Sequence, residues 1–317
     1  MPLKIKLFKI IPYWIVFLVI AVGAQAMGVL ISKDNEAPAK NQPQVLGVST
    51  STPSIRGADS EAKLISQINF PDLSAVNAKS YLVFDLASGQ TLLAKNSGQK
   101  FAIASLTKLM TALVAYGNID LNQDFVISDR DILNVKPDLG LVPGDSVRAL
   151  DIFNAMLIGS CNDAAKALAN YTTLVSGSDF VGLMNQKAAD LGLQNTSYQN
   201  PMGFDNSGNY STVEDLKILI IQEQKLSVFT DLGRRINYEF LGSLGKAYYT
   251  SATNKLIQKY PDIQAIKTGW TDEANGAMAT KVDIGGREVV IVVLDSQNRE
   301  SDTLKLKAAL ESSFDWQ

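Results

Sequence analysis

Three short polar groups in this 317-residue chain have the residue types and spacing that nucleophilic chemistry needs. They are Ser105-Leu-Thr-Lys108, Ser160-Cys-Asn162 and Lys267-Thr-Gly269. A serine hydroxyl is a weak nucleophile until a base takes its proton. The usual imidazole base is excluded, because the chain contains no histidine. A lysine one helical turn away is the obvious candidate, since side chains at i and i+3 of a helix share a face with Cβ atoms about 5–6 Å apart. Such an amine is a base only when neutral. Removal from water and a nearby positive charge both favour that form.

Each group also has a plainer reading. Ser-x-x-Lys recurs at Ser60, Ser97, Ser105 and Ser243. Ser60 ends a polar stretch, and Ser97 and Ser243 sit among glycines. Only Ser105 leads into an apolar helix, lined by Leu106, Leu109, Met110, Leu113 and Val114. Alone it reads equally as a helix N-cap, although a lysine buried beside that face is costly without a partner. Ser-x-Asn is not unique to Ser160; at Ser207 it lies among turn-forming residues. Ser160-Cys161-Asn162 falls between helical runs, where a simple cap is the alternative. Lys267-Thr268-Gly269 occurs once and ends the strand-like run Ile263–Ile266. It is either an exposed edge strand or the wall of a cleft. In a cleft the strand pairs with an extended peptide and offers a hydroxyl and an ammonium to a carboxylate. Its glycine lets the ligand approach the backbone closely.

The elements that must carry these groups are legible in outline. Residues 80–85 and 90–94 read as a hairpin about Ser88-Gly89. Helical periodicity covers 105–116, most of 151–171, 179–191 and 212–225, with a loop-rich stretch at 195–213. Strand-like runs follow at 263–270, 276–283 and 287–294, the last two joined by Gly285-Gly286. An amphipathic helix is expected at 301–314. Strands at both ends with helices between them predict one antiparallel sheet assembled from distant segments, with a helical subdomain at its side.

Composition narrows the function. The chain is 46% hydrophobic and 19% charged with a formal net charge of −3, so no nucleic-acid partner is expected. One cysteine, Cys161, excludes an intrachain disulfide and cysteine-rich zinc sites. Lys4, Lys6 and Lys9 precede an apolar run from Ile10 to Ile31, about 33 Å long as a helix and enough to cross a bilayer core. The charge asymmetry places the following chain outside the cytoplasm. Ala24-Gln-Ala26 resembles a signal-peptidase site, while continuation of the run to Ile31 favours an uncleaved anchor. Residues 33–62, with Pro38, Pro43 and Pro53, read as a flexible tether. The expected organisation is therefore an anchor or signal at 1–32, a tether at 33–62 and a catalytic domain at 63–317.

Taken jointly, the three groups resemble those of the serine-type D-alanyl-D-alanine carboxypeptidases, the low-molecular-mass penicillin-binding proteins of peptidase family S11. The resemblance extends to Ile103–Thr111, Ser160–Ala165, Asn200-Pro-Met-Gly-Phe204, Ser211-Thr212 with Asp215-Leu216, and Lys267–Thr271, and spans about residues 65–315. It implies a β-lactamase/transpeptidase-like α/β (α+β) fold, with an antiparallel sheet of about five strands flanked by helices plus a helical subdomain. It also implies Ser105 as nucleophile, Lys108 as base and Ser160 as proton relay. Asn162, Lys267, Thr268, Gly269 and Trp270 would bind substrate, with the Ser105 and Trp270 N–H groups as oxyanion donors. The implied partners are peptidoglycan stem peptides, β-lactam antibiotics and the cell membrane, with no metal or cofactor. Cys161 stands where the family commonly has glycine. A class A β-lactamase is disfavoured by the lack of a Glu-x-x-Leu-Asn segment between the second and third groups. A D,D-endopeptidase and a non-catalytic penicillin sensor remain alternatives.

Overall fold

The computed structural model describes residues 65–206 and 208–316. The expected anchor and tether therefore lie outside the described residues. Among the described residues no helix is long and apolar enough to cross a membrane. The chain runs through β1 (Ser66–Gln67), β2 (Ser80–Asp85), β3 (Thr91–Lys95), α1 (Thr107–Asn118), β4 (Asp124–Val126) and β5 (Ser146–Arg148). Helices α2 (Ala149–Ile158), α3 (Asn162–Ser176), α4 (Phe180–Asp190), α5 (Val213–Glu223) and α6 (Ser227–Thr230) follow. The remainder is β6 (Asn237–Leu241), β7 (Ala247–Ser251), β8 (Ile263–Thr271), β9 (Asn275–Ile284), β10 (Arg287–Ser296), α7 (Arg299–Ser313) and β11 (Phe314–Asp315).

Five strands form one antiparallel sheet in the order β3-β2-β10-β9-β8. The N-terminal hairpin thus joins the C-terminal strands, as the sequence pattern predicts. The run Val289–Leu294 is apolar throughout because both faces of β10 are covered. Side chains alternate across a strand. Val289, Ile291 and Val293 pack with Leu306 and Leu310 of α7, while Val290, Val292 and Leu294 join the large core of α1–α5. Each such side chain contributes about 1.5–3 kcal/mol on burial, which fixes both layers to the sheet and leaves β8 as a rigid edge.

The helical stretch 151–171 is two helices, broken at Gly159–Cys161, and this break presents Ser160 between helical runs as expected. Three details depart from the expected outline. Ser105 does not open α1 itself but sits in a one-turn 3₁₀ segment, Ala104–Leu106, with no side-chain cap bond. The hairpin β6–β7 was not anticipated, although Tyr238 and Phe240 alternate against Tyr248 and Thr250 across a turn holding Gly242 and Gly245. The closing helix is followed by β11, which pairs with β1.

Candidate active site

Ser105 and Lys108 are separated by the junction of the 3₁₀ turn and α1, which keeps their side chains adjacent. Lys108 is fully buried. Its Nζ lies 2.9 Å from Ser105 Oγ, 2.8 Å from Asn162 Oδ1 and 2.6 Å from the Met202 carbonyl oxygen. An ammonium donates to all three acceptors. A neutral amine donates to the two carbonyls, and its lone pair then faces the serine hydroxyl, which becomes the donor. Burial draws the Lys108 pKa down to about 7, so the neutral form is available near neutral pH. Of the two influences expected to favour the neutral form, burial is the one that lowers the Lys108 pKa, and no neighbouring positive charge contributes. The repulsion between the two cations is felt at Lys267, which is held well below its ordinary value first by burial, then by Lys108 and Arg299.

Asn162 is the first residue of α3, so it is not the helix cap that the plain reading offered. Its Nδ2 donates to Val135 O at 3.1 Å and its backbone N–H to Pro137 O at 2.8 Å, which turns the amide oxygen toward Lys108. The neighbouring Asp163 accepts the N–H groups of Leu139, Gly140 and Leu141 at 2.8–3.1 Å and ties the same loop to α3. Ser160 precedes this turn with its backbone in the left-handed region, φ 60°, and Ala104 beside Ser105 has φ 46°. For residues other than glycine such conformations cost about 1–3 kcal/mol each and gather at functional sites. Cys161 is buried with Sγ 3.5 Å from Thr250 Oγ1, and burial pushes its thiol up to about 11. It is a packed thiol rather than a reactive one.

Strand β8 brings the third group to the first. A Cβ placed on Gly269 would lie 2.7 Å from Ser105 N and 2.8 Å from Ala104 Cβ, so only glycine lets the strand pass this closely. Lys267 and Thr268 are buried, while Trp270 is 64% exposed at the rim. Lys267 Nζ donates to the Thr268 carbonyl at 2.9 Å, and Thr268 Oγ1 bonds Thr253 Oγ1 at 2.5 Å. Arg299, at the start of α7, donates to the Gly269 carbonyl from behind the strand. The three groups thus meet at one place: Lys108 joins Ser105 to Asn162, and β8 passes against Ser105 at Gly269.

Several contributors were not assigned from sequence. Asn200 Oδ1 accepts the N–H groups of Met202, Gly203 and Phe204 and folds a turn that delivers the Met202 carbonyl to Lys108. Gly203, at φ 87°, lies so close that an added Cβ would sit 2.0 Å from Ala104 O. Thr111 Oγ1 donates to Pro201 O at 2.7 Å and holds the turn to α1. Asn200–Phe204 was visible as a cluster of turn formers, but nothing local shows which carbonyl it presents or that Arg299 backs the strand. The discarded repeats are structural: Ser97 Oγ bonds Glu214, and Ser243 Oγ bonds Asp145. Ser60 and Ser207 lie outside the described residues.

A family model described as D-alanyl-D-alanine carboxypeptidase matches residues 66–298. D-alanyl-D-alanine carboxypeptidase DacF of Bacillus subtilis is 30% identical over 247 residues, 76% of this chain, which spans 63% of that protein's length. DacB2 of Mycobacterium tuberculosis is 30% identical over 262 residues, covering 82% of this chain and 87% of the relative. Among solved structures, the Streptomyces K15 DD-transpeptidase matches with a TM-score of 0.69 at 28% identity, over 74% of this chain and 97% of its own. The Mycobacterium tuberculosis D-alanyl-D-alanine carboxypeptidase matches with a TM-score of 0.66 at 27% identity, over 78% and 94%.

Proposed function

The chain belongs to the D-alanyl-D-alanine carboxypeptidase family, and from that premise we propose that it is a serine-type peptidase that removes the terminal D-alanine of peptidoglycan stem peptides. Neutral Lys108 accepts the Ser105 proton as Oγ attacks the carbonyl carbon of the penultimate D-alanine. The tetrahedral intermediate places its oxyanion between the Ser105 and Trp270 N–H groups; one such donor is worth about 10²–10³ in kcat. The C–N bond then breaks, and the departing D-alanine amine receives the proton from Lys108 through Ser160. Water attacks the acyl-enzyme with Lys108 again as base, which releases the shortened peptide and restores Ser105. The substrate's terminal carboxylate sits at Lys267 and Thr268, and Asn162 holds both the Lys108 amine and a substrate amide. A carboxylate there favours a charged Lys267. That charge disfavours a proton on Lys108, so docking and activation of the base support each other.

The single observation that carries this reading is the fully buried Lys108, 2.9 Å from Ser105 Oγ, with its other contacts made to carbonyls. β-Lactams would acylate the same serine. Residues 63–317 are the catalytic domain in this reading, held outside the cytoplasm by the N-terminal apolar segment and the tether.

The test is covalent labelling by a fluorescent penicillin together with D-alanine release from a D-Ala-D-Ala peptide. Ser105→Ala should abolish both, and labelling that survives in that variant refutes the nucleophile. Labelling of the intact protein without peptide turnover marks a sensor. Cleavage of cross-linked but not linear peptides marks an endopeptidase, and rapid penicillin turnover marks a β-lactamase.

A further inference from the structure

Between β8 and helices α1 and α2, the structure holds a polar group that the proposed reaction does not use. Helix α5 ends at Glu223, a fully buried carboxyl with no hydrogen-bond partner at either oxygen among the described residues. Glu223 lines a cavity of about 30 Å³, room for one or two water molecules. Leu109, Leu157 and Phe229 wall it on the helical side, and residues 265–268 of β8 on the other. A buried unpaired carboxylate is too costly to persist, so burial holds Glu223 in its protonated form, its pKa raised well above the usual carboxyl range. Even a neutral carboxyl is destabilising while its donor and acceptors are left without partners.

The strand wall carries an irregularity at the same place. Pairing of β8 with β9 steps from Ala265 opposite Thr280 to Lys267 opposite Ala279, so Ile266 is an extra residue outside the ladder. A bulge of this kind frees backbone polar groups and re-aims the next side chain, which here is Lys267. An unpartnered acid and the bulged residue of β8 therefore line the same small cavity. We propose that Glu223 anchors an internal water bridging its protonated carboxyl to the Ile266 bulge, and that Glu223 is thereby a positioning residue for Lys267 and Thr268. Its effect on turnover rests on the peptidase reading; the water and its acid do not.

The other groups facing the cavity agree with a neutral acid. Helices α1 and α2 contribute only Leu109, Leu157 and Ile158 to its wall. Arg235, from the segment after α6, is exposed to solvent. Lys267 of β8 gives an N–H to the Thr268 carbonyl. Tyr198, buried and without a hydrogen-bond partner at its hydroxyl, lies within electrostatic reach of Glu223 and has its own pKa raised by burial.

The experiment compares the full chain with Glu223→Gln, which keeps shape and hydrogen bonding, and Glu223→Leu, which keeps volume and removes the polar group. A crystal structure at high resolution should show ordered density within hydrogen-bond distance of the carboxyl and of the Ile266 backbone, retained in Glu223→Gln. The stability difference between Glu223→Gln and the parent should widen with pH. Above about pH 4.5 the unfolded acid has lost its proton while the buried one keeps it, so the parent's unfolding constant rises about tenfold relative to the variant per pH unit. For peptide turnover, Glu223→Leu should raise KM about tenfold or more with a smaller change in kcat, since an ångström of misplacement costs up to about a hundredfold; Glu223→Gln should restore it. A dry cavity, a stability difference flat in pH, or a parental KM in Glu223→Leu overturns the proposal. If the parent chain releases no D-alanine, the peptidase reading falls, and density and pH slope still decide the hydrated acid.

Discussion

The pH dependence of acylation follows directly from the burial of Lys108. An ordinary lysine titrates near 10.4 and is about 0.04% neutral at pH 7. With its pKa at about 7, Lys108 is about half neutral at that pH. Burial thus raises the population of the base by about a thousandfold, on the order of 4 kcal/mol in the protonation equilibrium. Acylation by a fluorescent penicillin, followed by stopped flow between pH 5 and 9, should climb about tenfold per unit up to about pH 6, bend over through pH 7 and flatten by pH 8. At pH 5 only about 1% of Lys108 is neutral, so the rate should be about fiftyfold below its value at pH 7. Lys108→Ala should lose the limb and fall about 10²–10⁴-fold, the usual contribution of a positioned base. A rate that still climbs tenfold per unit above pH 8 means that the working base is not a desolvated lysine. A flat profile with parental rates in Lys108→Ala refutes the role outright.

Three further outcomes test the surrounding geometry. Gly269→Ala puts a Cβ 2.7 Å from Ser105 N, so β8 must withdraw and penicillin acylation should fall at least a hundredfold while the circular dichroism spectrum stays native. Asn162→Ala removes one of the three acceptors on Lys108 Nζ. That should destabilise the fold by about 1–3 kcal/mol in urea titration; parental stability would show that the amide does not hold the amine. Cys161, buried with its thiol pushed up to about 11, should resist iodoacetamide at pH 8 until urea unfolds the chain. Rapid alkylation of the native protein would show that the α2–α3 break opens to solvent.

Much of the scaffold was legible because its signals are local. The apolar run of β10 and the glycine pair at 285–286 mark a buried hairpin. The apolar face of α1 marks a core helix, and the small residues at 159–161 mark a break. The β6–β7 hairpin was passed over because its strands are half-exposed and its turn resembled a loop. The 3₁₀ turn at Ser105 was missed because one turn of tighter helix leaves no trace in periodicity.

By itself the sequence determined which chemistry was possible. Without histidine, a serine nucleophile has to rely on an amine, and residue types with one-turn spacing place Lys108 beside Ser105. Only the tertiary structure decided that this amine is dry, that Asn162 and Met202 take its other N–H bonds, and that Gly269 lies against Ser105. The reason is physical. Spacing along a helix is a property of adjacent residues, whereas desolvation and approach depend on segments more than 50 positions apart in the chain, whose packing no local pattern encodes.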